Sequence, residues 1–424
     1  MEVSESAPPS RLLSEFTLTV VCQYLTATDR LNMRVSCAMR DLLAQVPWCT
    51  ASIDSHNLSS SFDFGNMITT SPSIRILKIE HGARYLLHSD IAVAFAPTIE
   101  TLWLLNFHYA GFPDFPVVNM PHLTELRVQQ APHPAGTIGP RLSLSFGAHV
   151  PLKRLCLDFV GANDLCPISK TVEVIRLVNT GVAQERVCKQ VQQLPNLIEI
   201  NISIDAGYSH KRVEWRFAPT NTLRRLAVSS YSNHAFTTAD GLRGLTHFSA
   251  AGNCVSPLWL SLDFSRMQWL QQLRLAHARW DGELCVAPMP SVRTIALKYC
   301  RLSDCSMMKW FPNATTASFE YCGIKTLAGL EKDDSLEALC IREFNARELN
   351  VTAICECKSL EYVRFDVGAF GPREAFLLCP RLRQVVTTSS WTYANAWANA
   401  SDRHYVVEGE VRLTTYTFTN KNTP

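Results

Sequence analysis

The chain lacks the long apolar stretches that mark membrane proteins and secreted proteins. Its longest uninterrupted apolar run, at about Ile91 to Pro97, is far shorter than the roughly 20 residues that span a bilayer. The first ten residues, Met1 to Ser10, contain no apolar core of the kind that a signal peptide needs. We therefore expect a protein without a transmembrane segment that stays inside the cell.

Cysteine is abundant, but the pairs typical of a disulfide framework or a zinc site are missing. The chain has 15 cysteines, an odd number, and no two of them form a C-x-x-C pair. In a chain of 424 residues this pattern indicates a reducing compartment, where most cysteines serve as small buried hydrophobic residues. We predict a cytoplasmic or nuclear location, or both.

Charge and catalytic motifs are also scarce. Only 18% of the residues are charged, below the roughly 25% of an average soluble protein. Lys plus Arg number 40 and Asp plus Glu 38, and this net charge of +2 argues against a nucleic-acid binder. The closest two histidines, His81 and His88, have no metal-ligand spacing, and no nucleophile elbow or phosphate-binding loop occurs. We expect neither an enzyme nor a cofactor.

A repeated pattern, apolar-x-x-apolar-x-apolar, runs along most of the chain. Its fourteen copies begin at Ile74, Ile99, Leu123, Leu152, Val172, Leu197, Leu223, Leu245, Leu270, Val292, Ala314, Leu336, Leu360 and Leu382. Successive copies start 20 to 29 residues apart, so the pattern resembles that of leucine-rich repeats. The resemblance implies an α/β fold, a solenoid of about 14 repeats with a parallel sheet on its concave face. A doubly wound α/β sheet is the alternative, and the missing Gly-rich phosphate loop weighs against it.

The parts of each repeat outside the strand have their own patterns. Residues 184–194, 303–311 and 372–378 resemble helices, and Ser303-Asp304 and Gly371-Pro372 are suitable starts for the last two. After the strand, Asn253, Cys300 and Cys322 occupy a position where a polar atom can satisfy backbone groups at the turn.

The residues before Ile74 do not follow the repeat, and three short helices are predicted between Ser14 and about Val46. Ser14 is a suitable N-cap for the first helix, and Leu18, Val21, Cys22 and Leu25 share one face of it. The segment contains Leu13-Ser14-Glu15-Phe16-Thr17-Leu18, then Tyr24-Leu25, Asp29-Arg30-Leu31, Ser36-Cys37 and Pro47-Trp48. These residues resemble an F-box, although Ser14, Phe16 and Arg40 replace the family's proline, glutamate and aromatic residue.

The F-box resemblance implies an adaptor role. Such proteins dock on the Skp-type adaptor of a cullin–RING (SCF-type) ubiquitin ligase and present a protein substrate on the repeats. Carried over by position, the adaptor-binding residues would be Leu13, Ser14, Leu18, Val21, Tyr24, Leu25, Leu31 and Cys37. The alternative is a repeat scaffold without a ubiquitin role, in which the same helices only cap the first repeat.

These observations predict four segments. Residues 1–11 are a disordered tail, 12–56 the F-box-like module, 57–388 the repeat solenoid, and 389–424 a C-terminal cap and tail. Within the last segment, residues 410–418 alternate as a strand does.

The outward-facing strand positions suggest where a partner would bind. In each strand the residues two, four and six places after the first apolar position point away from the core. Basic and aromatic side chains at or near these positions are the predicted substrate-binding residues: Lys78, Trp103, Arg127, Arg154, Arg176, Arg225, Arg274 and Arg364. One hypothesis is that these arginines bind an acidic or phosphorylated segment. The other is that neighbouring carboxylates balance them on a solvated face.

Overall fold

The structure is a computed structural model that describes a large part of the chain. The described residues are 50–54, 74–80, 98–107, 114–115, 120–130, 141–144, 149–158, 161–165, 168–178, 190–191, 193–204, 213–215, 222–230, 234–236, 242–252, 254, 257–260, 262–280, 285, 287–331, 334–343, 349–367, 370–371, 373–387, 404–408 and 414–419. They belong to two compact units, one of residues 1–197 and 203–206, the other of residues 198–202 and 207–424.

The N-terminal unit contains two parallel sheets. Its strands are β1 (Thr50–Asp54), β2 (Ile76–Glu80), β3 (Thr101–Phe107), β4 (Asp114–Phe115), β5 (Glu125–Gln130), β6 (Arg141–Leu144), β7 (Arg154–Asp158), β8 (Gly161–Leu165) and β9 (Val174–Val178). The main sheet pairs β1, β2, β3, β5, β7 and β9 in that order. The second sheet pairs β4, β6 and β8, which come after successive main strands.

The C-terminal unit repeats this arrangement. Its strands are β10 (Glu199–Ile204), β11 (Val213–Trp215), β12 (Arg225–Ser230), β13 (His234–Phe236), β14 (His247–Ala251), β15 (Leu258–Leu260), β16 (Gln272–Ala276), β17 (Ala278–Trp280), β18 (Thr294–Lys298), β19 (Thr316–Glu320), β20 (Ala338–Glu343), β21 (Leu349–Asn350), β22 (Tyr362–Val367), β23 (Phe370–Gly371), β24 (Gln384–Thr387), β25 (His404–Glu408) and β26 (Thr414–Thr419). The main sheet runs in parallel from β10 through β12, β14, β16, β18, β19, β20 and β22 to β24. Strands β11, β13, β15 and β17 form a second parallel sheet, and β21 pairs with β23.

The repeat predicted from the sequence is confirmed. A main-sheet strand overlaps each of the fourteen apolar patterns, from β2 at Ile74 to β24 at Leu382. Successive strands pair at equivalent positions, so that Ile295 lies beside Ala317 and Ala317 beside Leu339. All three side chains are fully buried. The repeat therefore fixes the register, because a shift of one residue would expose the apolar side of every strand.

Two of the three helices predicted between strands are present, but as short 3₁₀-helices. Residues 303–311 contain a 3₁₀-helix at Ser306–Trp310, and residues 372–378 contain one at Arg373–Leu378. Two more 3₁₀-helices lie at Phe264–Arg266 and Thr352–Glu356. Of residues 184–194, the segment before residue 190 lies outside the described residues. Residues 190 and 191 are α-helical, and the other described helices are of the 3₁₀ type where the α/β prediction expects longer helices.

Chain length explains the preference for 3₁₀-helices. In the C-terminal unit the apolar patterns at Val292, Ala314 and Leu336 start only 22 residues apart. In each of these repeats the strand takes five or six residues and the two turns take more, so few residues are left for the return segment. A 3₁₀-helix rises about 2.0 Å per residue and an α-helix about 1.5 Å, so the former covers the return path with fewer residues.

Cysteines stabilise the turns after two strands, as the sequence predicts. The Cys300 thiol donates to the carbonyl oxygens of Leu275 and Lys298, at 3.6 and 3.3 Å. The Cys322 thiol donates to the carbonyl oxygen of Leu297 at 3.3 Å. Of the ten cysteines in the described part of the chain, all are free thiols and six are buried. Their main role is therefore that of small core residues.

Strands at both ends of the chain join the main sheets. Strand β1 pairs in parallel with β2, upstream of Ile74, where the sequence repeat begins. Strand β26 pairs antiparallel with β24 and β25 pairs antiparallel with β26, so β24 is not an exposed edge. The strand predicted over residues 410–418 is β26. The three helices predicted before Thr50 lie outside the described residues, and none of the described helices is long and apolar enough to cross a membrane.

Candidate binding face

The pairing register brings the predicted outward-facing residues into rows. In the N-terminal unit one row contains Lys78, Trp103, Arg127, Cys156 and Arg176. In the C-terminal unit the equivalent row contains Ala227, Ser249, Arg274, Ala296, Ser318, Cys340, Arg364 and Val386. Apolar residues on either side of each row point into the core, as strand alternation requires.

Several polar side chains on this face of the N-terminal unit contact carboxylates next to the row. Trp103 Nε1 donates to Glu125 Oε1 at 2.8 Å, and Glu125 also lies 3.8 Å from Arg154 Nη1. Lys78 Nζ lies 2.5 Å from Glu80 Oε1. Trp103 and two of the predicted cations are therefore held by carboxylates of the same face.

A half-buried thiol and carboxyl lie among the arginines of this row. Burial raises the pKa of the Cys156 thiol, Glu125 raises it further, and neighbouring arginines only partly oppose this. Burial also raises the pKa of Asp158, against the effect of Arg176 and Arg127. Cys156 is thus a protonated thiol at neutral pH and not an activated nucleophile, because the thiolate is the reactive form.

The C-terminal unit contains a connected ion network. Glu320 lies 3.0 Å from Lys298 and 3.7 Å from Arg342, and Asp366 lies 3.1 Å from Arg342 and 3.0 Å from Arg364. The Asp366 side chain is only 2% exposed, and its hydrogen bonds are the main cause that raises the pKa of both arginines. Arg364 is therefore committed to an internal ion pair.

The remaining predicted cations have different surroundings. Arg225 Nη1 lies 3.5 Å from Glu199 Oε2, and Arg127 Nη2 donates to Gln129 Oε1 at 3.5 Å. Arg176 is exposed beside Asp158. The eight predicted substrate-binding residues are thus divided between the two units.

A shallow groove of about 220 Å³ lies on the exposed face of the C-terminal sheet around Arg274. We call it the small-residue groove, because small side chains from four neighbouring strands line it. These are Ser249, Ala251, Ala276, Ala296 and Ser318. Lys298 and Glu320, which pair with each other, lie at its border.

Arg274 is an exposed cation in this groove. Within the described part of the chain it has no carboxylate partner, unlike Arg225 and Arg364 on the same face. Burial lowers the pKa of nearby His247, and the positive charges of Arg225 and Arg274 lower it further. The histidine beside the groove is therefore neutral at pH 7, and the arginine supplies the local positive charge.

The sequence predicts Arg274 as a binding residue but not the groove that surrounds it. The outward-facing column contains Ser249, Ala296 and Ser318, and these small residues next to an arginine are the signal that could have indicated a groove. The predicted adaptor-binding residues cannot be compared with the structure, because residues 13–37 lie outside the described residues.

The described residues contain no group of three or more histidine, cysteine, aspartate or glutamate side chains arranged to hold a metal ion.

Comparison with known proteins gives limited similarity. No protein-family model and no curated protein sequence matches the chain. One similar solved structure is the functional domain of InlJ from Listeria monocytogenes, which includes a cysteine ladder, at 12% identity and a TM-score of 0.49 over 91% of this chain and 87% of that one. Another is TLR13 in the TLR13–ssRNA13 complex, at 13% identity and a TM-score of 0.48. That match covers 87% of this chain and 58% of TLR13. Similarity at this level assigns no function, so the residues of the chain itself must support one.

Proposed function

We propose that the chain is a non-catalytic interaction scaffold and that the small-residue groove binds an extended, acidic segment of a partner protein. The observation that carries this proposal is Arg274, an exposed cation without a carboxylate partner in the described part of the chain, on a floor of small side chains. The phosphorylated form of such a segment has the same chemistry with more negative charge.

The shape of the groove favours an extended segment. Serine and alanine side chains let the backbone of a partner approach the sheet closely. A carboxylate or phosphate of that segment can then accept charge-assisted hydrogen bonds from Arg274, which are about twice as strong as neutral ones. The Lys298–Glu320 pair at the border supplies a fixed pattern of opposite charges that selects the register of the partner.

We expect Arg274→Glu to weaken the binding of an acidic peptide by about tenfold, or about 1.4 kcal/mol, because the substitution replaces attraction with repulsion. The measurement is fluorescence anisotropy of a labelled glutamate-rich peptide, and a lysine-rich peptide of the same length tests the sign of the charge. Arg381→Glu is the matched control, since Arg381 is an exposed arginine in the turn before β24. If Arg274→Glu and Arg381→Glu weaken peptide binding equally, the effect comes from the net charge of the protein, and a specific site at Arg274 is ruled out.

A second candidate function is the substrate receptor of an SCF-type ubiquitin ligase. The F-box resemblance supports it, and so does β1, because the family's helical module is succeeded by a first strand and Thr50–Asp54 is such a strand. In this role the chain would hold a target near the ubiquitin carrier and raise its effective concentration. The cullin–RING ligase and its Skp-type adaptor would then be partners in the cytoplasm or the nucleus.

We expect the wild-type chain to capture a purified Skp-type adaptor in a pulldown and Leu18→Asp and Tyr24→Ala to lose it. A charge at position 18 would interrupt the apolar face of the predicted first helix. Leu378→Asp is the control, since Leu378 lies in the C-terminal unit and is 67% exposed. If the wild-type chain captures no adaptor, the ligase role is excluded and the scaffold proposal stands.

A further inference from the structure

Three aromatic rings stack along successive strands of the C-terminal unit. His277, Tyr299 and Tyr321 are the first residues after β16, β18 and β19. The ring centroids of His277 and Tyr299 are 4.3 Å apart and those of Tyr299 and Tyr321 are 4.9 Å apart, with interplanar angles of 16° and 14°. We call these residues the ring ladder. Its spacing matches the distance of about 4.8 Å between paired strands.

The residues on either side of the ring ladder in the strand register carry no aromatic ring. Beyond Tyr321 the equivalent residue is Glu343, whose Oε1 accepts hydrogen bonds from the amides of Gly323 and Ile324 at 2.7 and 3.3 Å. Before His277 the equivalent residue is Gly252, whose amide donates to the Ala276 carbonyl at 2.9 Å. Since glycine has no side chain, no side chain from this position covers the ring of His277.

A groove of about 230 Å³ runs along the ring ladder and extends past His277 to Cys254 and Pro257. Arg279 and Arg301 also line it, two residues after His277 and Tyr299. Arg301 is exposed and has no ion-pair partner in the described part of the chain. The groove thus combines a stack of rings, an open stacking position and two cations.

The backbone around this groove has an unusual conformation. The described residues include five non-glycine residues with positive φ, and four of them line the groove: His277, Tyr299, Arg301 and Tyr321, at 49 to 54°. The left-handed region is unfavourable for residues with a side chain, and such residues cluster at binding sites. Here this conformation occurs at the three ladder rings and one of the two arginines.

We propose that this groove binds a nucleoside monophosphate, whose base stacks on His277 in the position that Gly252 leaves open and whose phosphate contacts Arg301. Bases stack on aromatic rings, and arginine binds phosphate with several hydrogen bonds at once. Arg301, which has no ion-pair partner in the described part of the chain, can bind a single phosphate group. A polynucleotide would need a longer row of cations, because its affinity comes from many phosphate contacts.

The state of His277 suits this role. Burial lowers the pKa of His277, and the nearby Lys298 ammonium lowers it further. At neutral pH the imidazole is uncharged, so its face can stack on a base while the arginines supply the positive charge. The nucleoside monophosphate would contact different residues from those of the small-residue groove. An experiment can therefore contradict either proposal without affecting the other.

The experiment is isothermal titration calorimetry of the full chain with adenosine 5′-monophosphate, adenosine, inorganic phosphate and a single-stranded oligoadenylate. We expect the monophosphate to bind at least about tenfold more tightly than adenosine or phosphate. The proposal is overturned if the monophosphate does not bind at about 1 mM, or if phosphate alone binds equally well. It is also overturned if the oligonucleotide binds much more tightly, since the site would then recognise a polymer.

Variants test the two parts of the site separately. Gly252→Phe should fill the open position and abolish binding, and Arg301→Gln should weaken the monophosphate by about tenfold without changing adenosine binding. Arg381→Gln is the matched arginine control and should leave both affinities unchanged.

Cys254 is exposed and lines the groove, so the monophosphate should slow its alkylation by iodoacetamide in the wild-type chain. Unchanged affinity in Arg301→Gln would contradict the proposal even if Gly252→Phe does not fold.

Discussion

Phe248→Ala is expected to lower the free energy of unfolding of the C-terminal unit by about 4 kcal/mol. Phe248 lies between Phe236 and Phe264, with ring centroids 5.4 Å from each and interplanar angles of 78° and 72°. Phe236 in turn stacks on Trp215 at 5.9 Å. All four side chains are at most 1% exposed. Removing the central ring leaves a cavity that its neighbours cannot fill, and two edge-to-face contacts are lost as well.

The midpoint of urea unfolding, monitored by far-UV circular dichroism, measures this effect. Trp269→Ala is the matched control, since Trp269 is an aromatic residue of the same unit but 68% exposed. We expect the control to change the unfolding free energy by no more than about 0.5 kcal/mol. A Phe248 variant as stable as the Trp269 variant would mean that the aromatic stack does not stabilise the core.

Gly329→Ala is expected to destabilise the same unit by about 3 kcal/mol or more. Gly329 has a φ of +102°, where a side chain is unfavourable. A Cβ atom there would lie 2.4 Å from the Ser306 amide nitrogen and 2.6 Å from the Cys305 carbonyl carbon. This is backbone, held by a hydrogen bond from the Cys305 amide to the Ala328 carbonyl at 2.9 Å, so it cannot move aside without loss.

Gly323→Ala separates the cost of a positive φ from the cost of the close contact between an added Cβ and the backbone. Gly323 also has a positive φ, +81°, but the nearest atom to an added Cβ would be the Leu302 carbonyl oxygen at 3.4 Å. It should therefore show only the conformational cost of about 1 kcal/mol. Thermal unfolding of both variants gives the comparison, and equal losses would show that the close approach at Gly329 is unimportant.

The strands could be predicted because each carries its own apolar pattern. Leu273 and Leu275, for example, occupy the same places in their repeat as Ile295 and Leu297 do in the next, and all four are buried. The return segments could not be predicted as reliably. Ser303-Asp304 does precede a helical turn, and Asp304 Oδ1 accepts from the Ser306 amide at 2.9 Å. That turn is a 3₁₀-helix, because the length available for the return path decides its type and local propensity does not.

The candidate sites were only partly predictable for a related reason. Repeat alignment places Arg274 and Arg364 in one column, but it does not show that Asp366 holds Arg364. The spacing of two residues was an available indication, because residues i and i+2 of a strand share a face. Partners across strands are harder to see, since Glu199 and Arg225 are 26 residues apart in the chain.

The constant register of the C-terminal strands also has an evolutionary consequence. Thr294 of β18 pairs with Thr316 of β19, which pairs with Ala338 of β20, and these residues are 22 positions apart. A gene deletion that removed 22 codons here would bring Ala338 beside Thr294 and leave every remaining strand with an equivalent neighbour. Duplication of the same stretch would insert one more strand in the same way. Lineages could therefore change the length of this unit by whole repeats, while losses of other sizes would misalign the buried faces.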